Sequence, residues 1–182
     1  MIQYTGKFCI IMLLILPFYL LIRRPWRREA KREWAMALFA LWNLGLLVLA
    51  LEGEYGSPAE MAGNAAARLA TGEGVNLVPF RTIAAFFRHF RFDIFAINIV
   101  GNTVMFIPWG FGLPLLWERN RRIPRLLLCA AALPLFIEVS QLFIGRNVDV
   151  DDWILNFAGG CLGAAVYFRL VRRFPGDFQG LR

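Results

Sequence analysis

Glu138, Gln141, Arg146, Asp149, Asp151, Asp152 and Asn156 lie within nineteen residues of one another, between two long apolar stretches. Residues of these types can do three kinds of chemistry. A carboxylate in apolar surroundings exchanges a proton with a substrate, a set of carboxylates holds a divalent cation against a diphosphate, and carboxylates, amides and an arginine together bind a polar headgroup. A glutamate within a membrane costs several kcal/mol unless it is paired or hydrated, so Glu138 is the first place to look for function. Glu138, Asp151 and Asp152 are the candidate catalytic groups.

The cation chemistry has the weakest support. After Asp151-Asp152 come Trp153, Ile154 and Leu155 rather than a second acidic pair. Cys9, Cys129 and Cys161 show no paired spacing and read as small apolar residues, so neither a disulfide framework nor a zinc site is indicated. The one histidine, His89, sits among arginines, and Ser57 and Ser140 are the only serines, so no nucleophile and base are paired. No cofactor and no metal are expected.

The elements that must position these residues follow from composition. The 182 residues are 58% hydrophobic and 18% charged, with mean hydropathy +0.53, which marks a polytopic membrane protein rather than a soluble domain. Five segments are long and apolar enough to cross a bilayer, namely 6–22, 34–51, 92–117, 126–145 and 153–170. Backbone amides have no partner in lipid, so all five are predicted to be helices of an all-α bundle forming a single membrane domain over 1–182. The first carries Pro17 and is followed by Arg23 and Arg24 where a cleavage site would need small residues, so it reads as a retained anchor.

Arginine placement orients the bundle, because short basic loops stay in the cytoplasm. Residues 23–33, 118–125 and the tail from Arg169 hold 14 of the 20 Lys and Arg. The predicted N-terminus is therefore outside, the C-terminus cytoplasmic, and the net charge of +7 is directed at anionic lipid, with no nucleic-acid partner.

The 52–91 connection is then an outer loop. Ser57-Pro58-Ala59-Glu60 has the form of a capping box opening a helix, and Thr71-Gly72-Glu73-Gly74 would end it. Phe86, Phe87 and Phe90 among Arg81, Arg88, His89 and Arg91 suggest an interfacial helix, or equally a surface helix packed on the bundle. In the third segment Asn98 and Asn102 are one turn apart and should share a face. Glu138 lies roughly 10 Å below the outer end of the fourth at 1.5 Å per residue, with Gln141 one turn above. Asp152 can cap the fifth, sharing a face with Asn156. Three segments thus carry polar groups at one depth, which is explained if those faces meet in one pocket.

At these positions the chain resembles the VanZ-like family of bacterial membrane proteins. The likeness rests on Asn76-Leu77-Val78-Pro79-Phe80, on Asn98 to Asn102 with Met105 to Phe111, on Glu138-Val139-Ser140-Gln141-Leu142-Phe143, and on Arg146 with Asp149 to Asn156 and Gly159-Gly160. These stretches frame a core of 76–167, with the two N-terminal segments over 1–51 as additions. The resemblance implies a multi-pass protein of the bacterial cytoplasmic membrane. The family's founding member is associated with teicoplanin resistance without substitution of the peptidoglycan precursor.

Three readings are open at this level. In the first, the pocket binds an amphiphile such as a lipid-linked precursor, a phospholipid or a lipoglycopeptide. Arg146 with Arg81 or Arg88 would meet its phosphate or carboxylate, and Asn76, Asn98, Asn102, Gln141 and Asn156 would meet neutral polar groups. In the second, the same site is an enzyme acting on a lipid-linked intermediate. In the third, the polar cluster holds helices together and does nothing else. Membrane lipid is a partner in every case, and oligomeric state is open.

Overall fold

The computed structural model describes residues 30–174 and Gly176. The first predicted segment, its flanking arginines up to residue 29, Cys9 and the end of the basic tail lie outside the described residues. Four described helices are long and apolar enough to cross a membrane. Helix α1 is Ala30–Ala50, α2 is Pro58–Thr71, and α3 is Arg81–Arg88. Helix α4 runs Phe92–Leu116 as one span, α5 is Ile123–Phe143, and α6 is Val150–Arg173. The described residues are all-α apart from two-residue strands β1, Val75–Asn76, and β2, Val148–Asp149, which pair in parallel. It is a helical membrane protein, with Leu38, Ile97 and Leu128 among the large apolar side chains facing outward from its spans.

Glycine sets the closest contact in the bundle. A Cβ at Gly159 would lie 2.0 Å from the Thr103 carbonyl oxygen, and one at Gly163 would lie 2.0 Å from that of Ile107. Helices α4 and α6 therefore touch backbone to backbone, and because both contacts advance by one turn the helices run parallel. Parallel neighbours need a return crossing, which α5 supplies. Buried side chains fill the space between them in successive groups, Leu46 with Phe106 and Ile137, Leu113 with Leu126 and Ala164, and Leu115 and Leu116 with Tyr167.

One end of the bundle collects the C-termini of α1 and α5 with the N-termini of α4 and α6, and the long loop packs there. Its first helix begins as predicted. Ser57 is the N-cap of α2 and its backbone amide donates to Glu60 Oε2 at 2.8 Å, while the Glu60 amide donates back to Ser57 Oγ at 3.3 Å. Gly72, at φ 73°, ends the helix in the left-handed region that a side chain would resist. The fully exposed Glu60 carboxyl is held below its usual range, first by the Ser57 amide and then by the Ser57 hydroxyl. A depressed carboxyl contributes fully above its unfolded value and loses that contribution as pH falls through its folded one. Amide exchange at residues 59–62 should accordingly quicken, relative to a Glu60→Gln variant, as pH drops below about 4.5. Parallel exchange profiles for the two proteins would remove the carboxylate from the cap.

Two boundaries differ from expectation in ways that matter. Helix α6 starts at Val150, not Trp153, and its N-cap is Asp149, not Asp152. The interfacial segment is helical over Arg81–Arg88 only, and Phe87 and Phe90 are exposed beside it.

Candidate functional site

The polar cluster separates into two parts with different roles. The first is a hub of side chains bonded to backbone. Asp151, with no exposed surface, accepts the Phe80 amide on Oδ1 at 2.5 Å and the Thr82 and Ile83 amides on Oδ2 at 2.7 and 2.9 Å. It therefore caps α3 from another helix. Phe80 itself offers no side-chain cap and sits at φ 65°, at the third position of a turn closed by the Arg81 amide and the Val78 carbonyl. Asp149 accepts the Asp151 amide and the Asn76 side-chain amide on Oδ1, both at 2.9 Å, and the Thr82 hydroxyl on Oδ2 at 2.5 Å. Asn76 also accepts the Val78 amide.

Arginines complete the hub by covering helix C-termini, where carbonyls lack partners. Arg146 Nη1 donates to the carbonyls of Leu49, Ala50 and Glu52 beyond the end of α1, and Gln141 Nε2 donates to Ala50 at 3.0 Å. Arg68 does the same for α5, donating to Leu142 at 3.2 Å and to Gly74 in the loop. Gly145, at φ 74°, turns the chain out of α5, and the Arg146 amide returns to the Gln141 carbonyl.

The second part lines a cavity of about 450 Å³ between α1, α4, α5 and α6. Asn102, Glu138, Gln141, Arg146, Asp152 and Asn156 provide its polar wall, with Leu46, Met105 and Phe106 among its apolar residues. Glu138 is 5% exposed and its Oε2 accepts the Asp149 amide at 3.1 Å. Asp152 Oδ1 accepts the Asn102 amide at 2.7 Å. The second oxygen of each carboxylate has no donor among the described residues. Asn156 is 6% exposed, and its Oδ1 is buried without any partner among them. An orphaned buried acceptor costs about 1–3 kcal/mol, which applies to Asn156 Oδ1, and the free carboxylate oxygens of Glu138 and Asp152 open onto the same space.

Glu138 also borders an apolar groove of about 350 Å³ on its other side, lined by Leu69, Leu77, Leu135, Val139 and Trp153 among others. Polar cavity and apolar groove are thus neighbours across a single side chain.

Several expected site residues fall elsewhere. Asn98 does not meet the cavity, since its side chain donates to the Ile94 carbonyl of its own helix at 2.8 Å. The backbone from Ala96 to Gly101 is π-helical, and Asn98 lies within it. Arg81 and Arg88 are exposed on α3 and border neither space. Asp151 and Asp149 spend their oxygens on the loop, and no group of three or more His, Cys, Asp or Glu is placed to hold a metal ion among the described residues. Thr82, Arg68 and Asn147, the last on the cavity wall, were not anticipated, because nothing in their spacing distinguishes them.

No curated protein and no solved structure matches the chain. The family model described as VanZ/LLP1 matches residues 34–172, which takes in α1 as well as the loop and the three later spans. A match over most of the chain, on a bundle whose four motif stretches converge at one end, places this membrane protein in the VanZ/LLP1 family.

Proposed function

We propose that the protein binds or handles an amphiphilic molecule of the bacterial cell envelope from within the cytoplasmic membrane. The polar cavity takes the headgroup from the outer side and the adjoining groove takes part of the chain. The observation that carries this reading is the shared wall: Glu138 borders a cavity with three unmatched acceptors and, on its other side, a groove with almost no polar atom. Small-molecule sites have this mixture of apolar lining and few convergent polar groups. Lipid-linked precursors, phospholipids and lipoglycopeptides such as teicoplanin all have the required amphiphilic form. Arginine bias supports the outward orientation, with Arg119, Arg121, Arg122 and Arg125 at the end of the bundle away from the cavity.

The test uses cells fed a diazirine fatty acid, followed by irradiation and mapping of lipid adducts. Adducts are expected at Leu135, Val139 and Trp153, and Val139→Trp, which fills the groove, should reduce them at least about 5-fold without lowering membrane abundance. Adducts spread evenly over all lipid-facing residues would sink the reading. A cysteine placed at Asn147 should react with an impermeant maleimide in intact cells. Labelling only after lysis would invert the topology and move the cavity to the cytoplasmic side.

A further inference from the structure

The headgroup's chemistry can be read from the polarity of the cavity wall. Of the polar side chains there, Glu138, Asp152 and Asn156 each present an oxygen with no donor among the described residues. Asn102 and Gln141 have their amide nitrogens already committed, to Asp152 and to the Ala50 carbonyl. Arg146 is the one cation on the wall, and its Nη1 is turned to three carbonyls of the α1 terminus. Asp149 and Asp151 stand immediately behind the wall and add negative charge, which the α6 N-terminus offsets in part. Arg146 Nε and Nη2 and the Asn147 and Asn156 side-chain amides keep free donors there, but the charge on the wall is two carboxylates against one guanidinium.

An anion would meet two carboxylates at close range, with a single guanidinium on the wall to offset them. A protonated amine meets the opposite situation. It carries three N–H donors and no acceptor, and Glu138, Asp152 and Asn156 offer three acceptors on two different helices, α5 and α6. Its charge also compensates two carboxylates that are buried or half-buried, an arrangement that is costly when left unpaired. The space suits such a group, since about 450 Å³ holds roughly 15 waters at 30 Å³ each.

We infer that the cavity selects a protonated amine, presented by a lipid or lipid-linked headgroup, over a phosphate or carboxylate. This rests on the amphiphile reading and narrows its ligand class. It also replaces the expectation that arginine would bind the headgroup as an anion.

The full chain would be purified and placed in phosphatidylcholine nanodiscs. Traces of photoactivatable phosphatidylethanolamine, its N-acetylated form and phosphatidylglycerol would be added separately, with adducts at cavity residues counted by mass spectrometry. Phosphatidylethanolamine should give about 5-fold or more adducts over both others, and the Glu138→Gln, Asp152→Asn double variant should lose that preference. Asn156→Leu provides the control against misfolding. It removes an acceptor that bonds nothing, so thermal stability should hold or rise while the preference falls. Asn98→Ala, outside the cavity, should behave as the unaltered protein. Equal adducts from the N-acetylated lipid, or more from phosphatidylglycerol, would overturn amine selection and leave the amphiphile reading intact. No cavity adduct from any lipid would overturn both. If millimolar free ethanolamine abolished the phosphatidylethanolamine adducts, the amine would be confirmed as the recognised group. If ethanolamine bound where no lipid did, the lipid source would be refuted.

Discussion

Asp151→Asn is expected to loosen the outer layer of the protein and to lower its stability by about 3–5 kcal/mol, because it converts a fully used acceptor into a half-donor. The native carboxylate receives three backbone amides, from Phe80, Thr82 and Ile83, with no exposed surface through which water could substitute. An amide of the same shape keeps one acceptor oxygen and turns an NH₂ toward another N–H. At least one donor is then orphaned at a cost of about 1–3 kcal/mol, and a charge-assisted pair worth about 1.5–3 kcal/mol is lost. Phe80 adds to the effect, since its left-handed backbone is held by the bond that the substitution weakens. The measurements are the thermal transition of the detergent-solubilised chain and amide exchange at residues 80–85, which should accelerate by at least about 10-fold. A transition within 1–2 °C of the unaltered protein, roughly the shift from a few tenths of a kcal/mol, would show that α3 holds without this cap.

Gly159→Ala should also be damaging, by a different route. The added Cβ would sit 2.0 Å from the Thr103 carbonyl oxygen, and neither wall is a side chain that could turn aside. The two helices must separate, at a cost of about 1–3 kcal/mol or more, and the Asn102 to Asp152 bond between them would stretch with the change. The protein contains its own control. At Gly63, in the exposed middle of α2, a Cβ meets nothing within 4 Å, so Gly63→Ala should stabilise the chain by about 0.4–1 kcal/mol. Opposite signs for one chemical change, read as transition temperatures in the same detergent, would locate the effect in the helix contact. If both alanines stabilise, the parallel α4 and α6 pair is not packed as described.

How far the structure could be read in advance depended on whether a residue type carried the information. Glu138 was conspicuous because a carboxylate in an apolar run has few neutral explanations, and Ser57 with Glu60 declared a helix start through a pattern made of two side chains. Gly159 and Gly163, four residues apart, have the spacing of small residues that lets membrane helices approach closely. The contacts of Arg146 Nη1 were not legible, because backbone carbonyls belong to every residue and none advertises them. Asn98 was misplaced for a related reason. Its side chain bonds the Ile94 carbonyl of its own helix, a partner that no residue type advertises. Asp151 and Asp152 point in different directions around α6, so Asp151 reaches the loop while Asp152 and Asn156, one turn apart, reach the cavity together.

The cap on α3 comes from a residue 71 positions further along the chain than Phe80. During synthesis the amides of Phe80, Thr82 and Ile83 emerge first and have to wait for α6 to be made and inserted, several seconds later at about 5–20 residues per second. Until then the loop, the β1 strand and the interfacial helix have no anchor at their centre, and water must serve in place of the carboxylate. The outer layer can therefore close around Asp151 only after α6 has arrived. A chain truncated before α6 should expose residues 72–90 to protease while α1, α4 and α5 remain inserted.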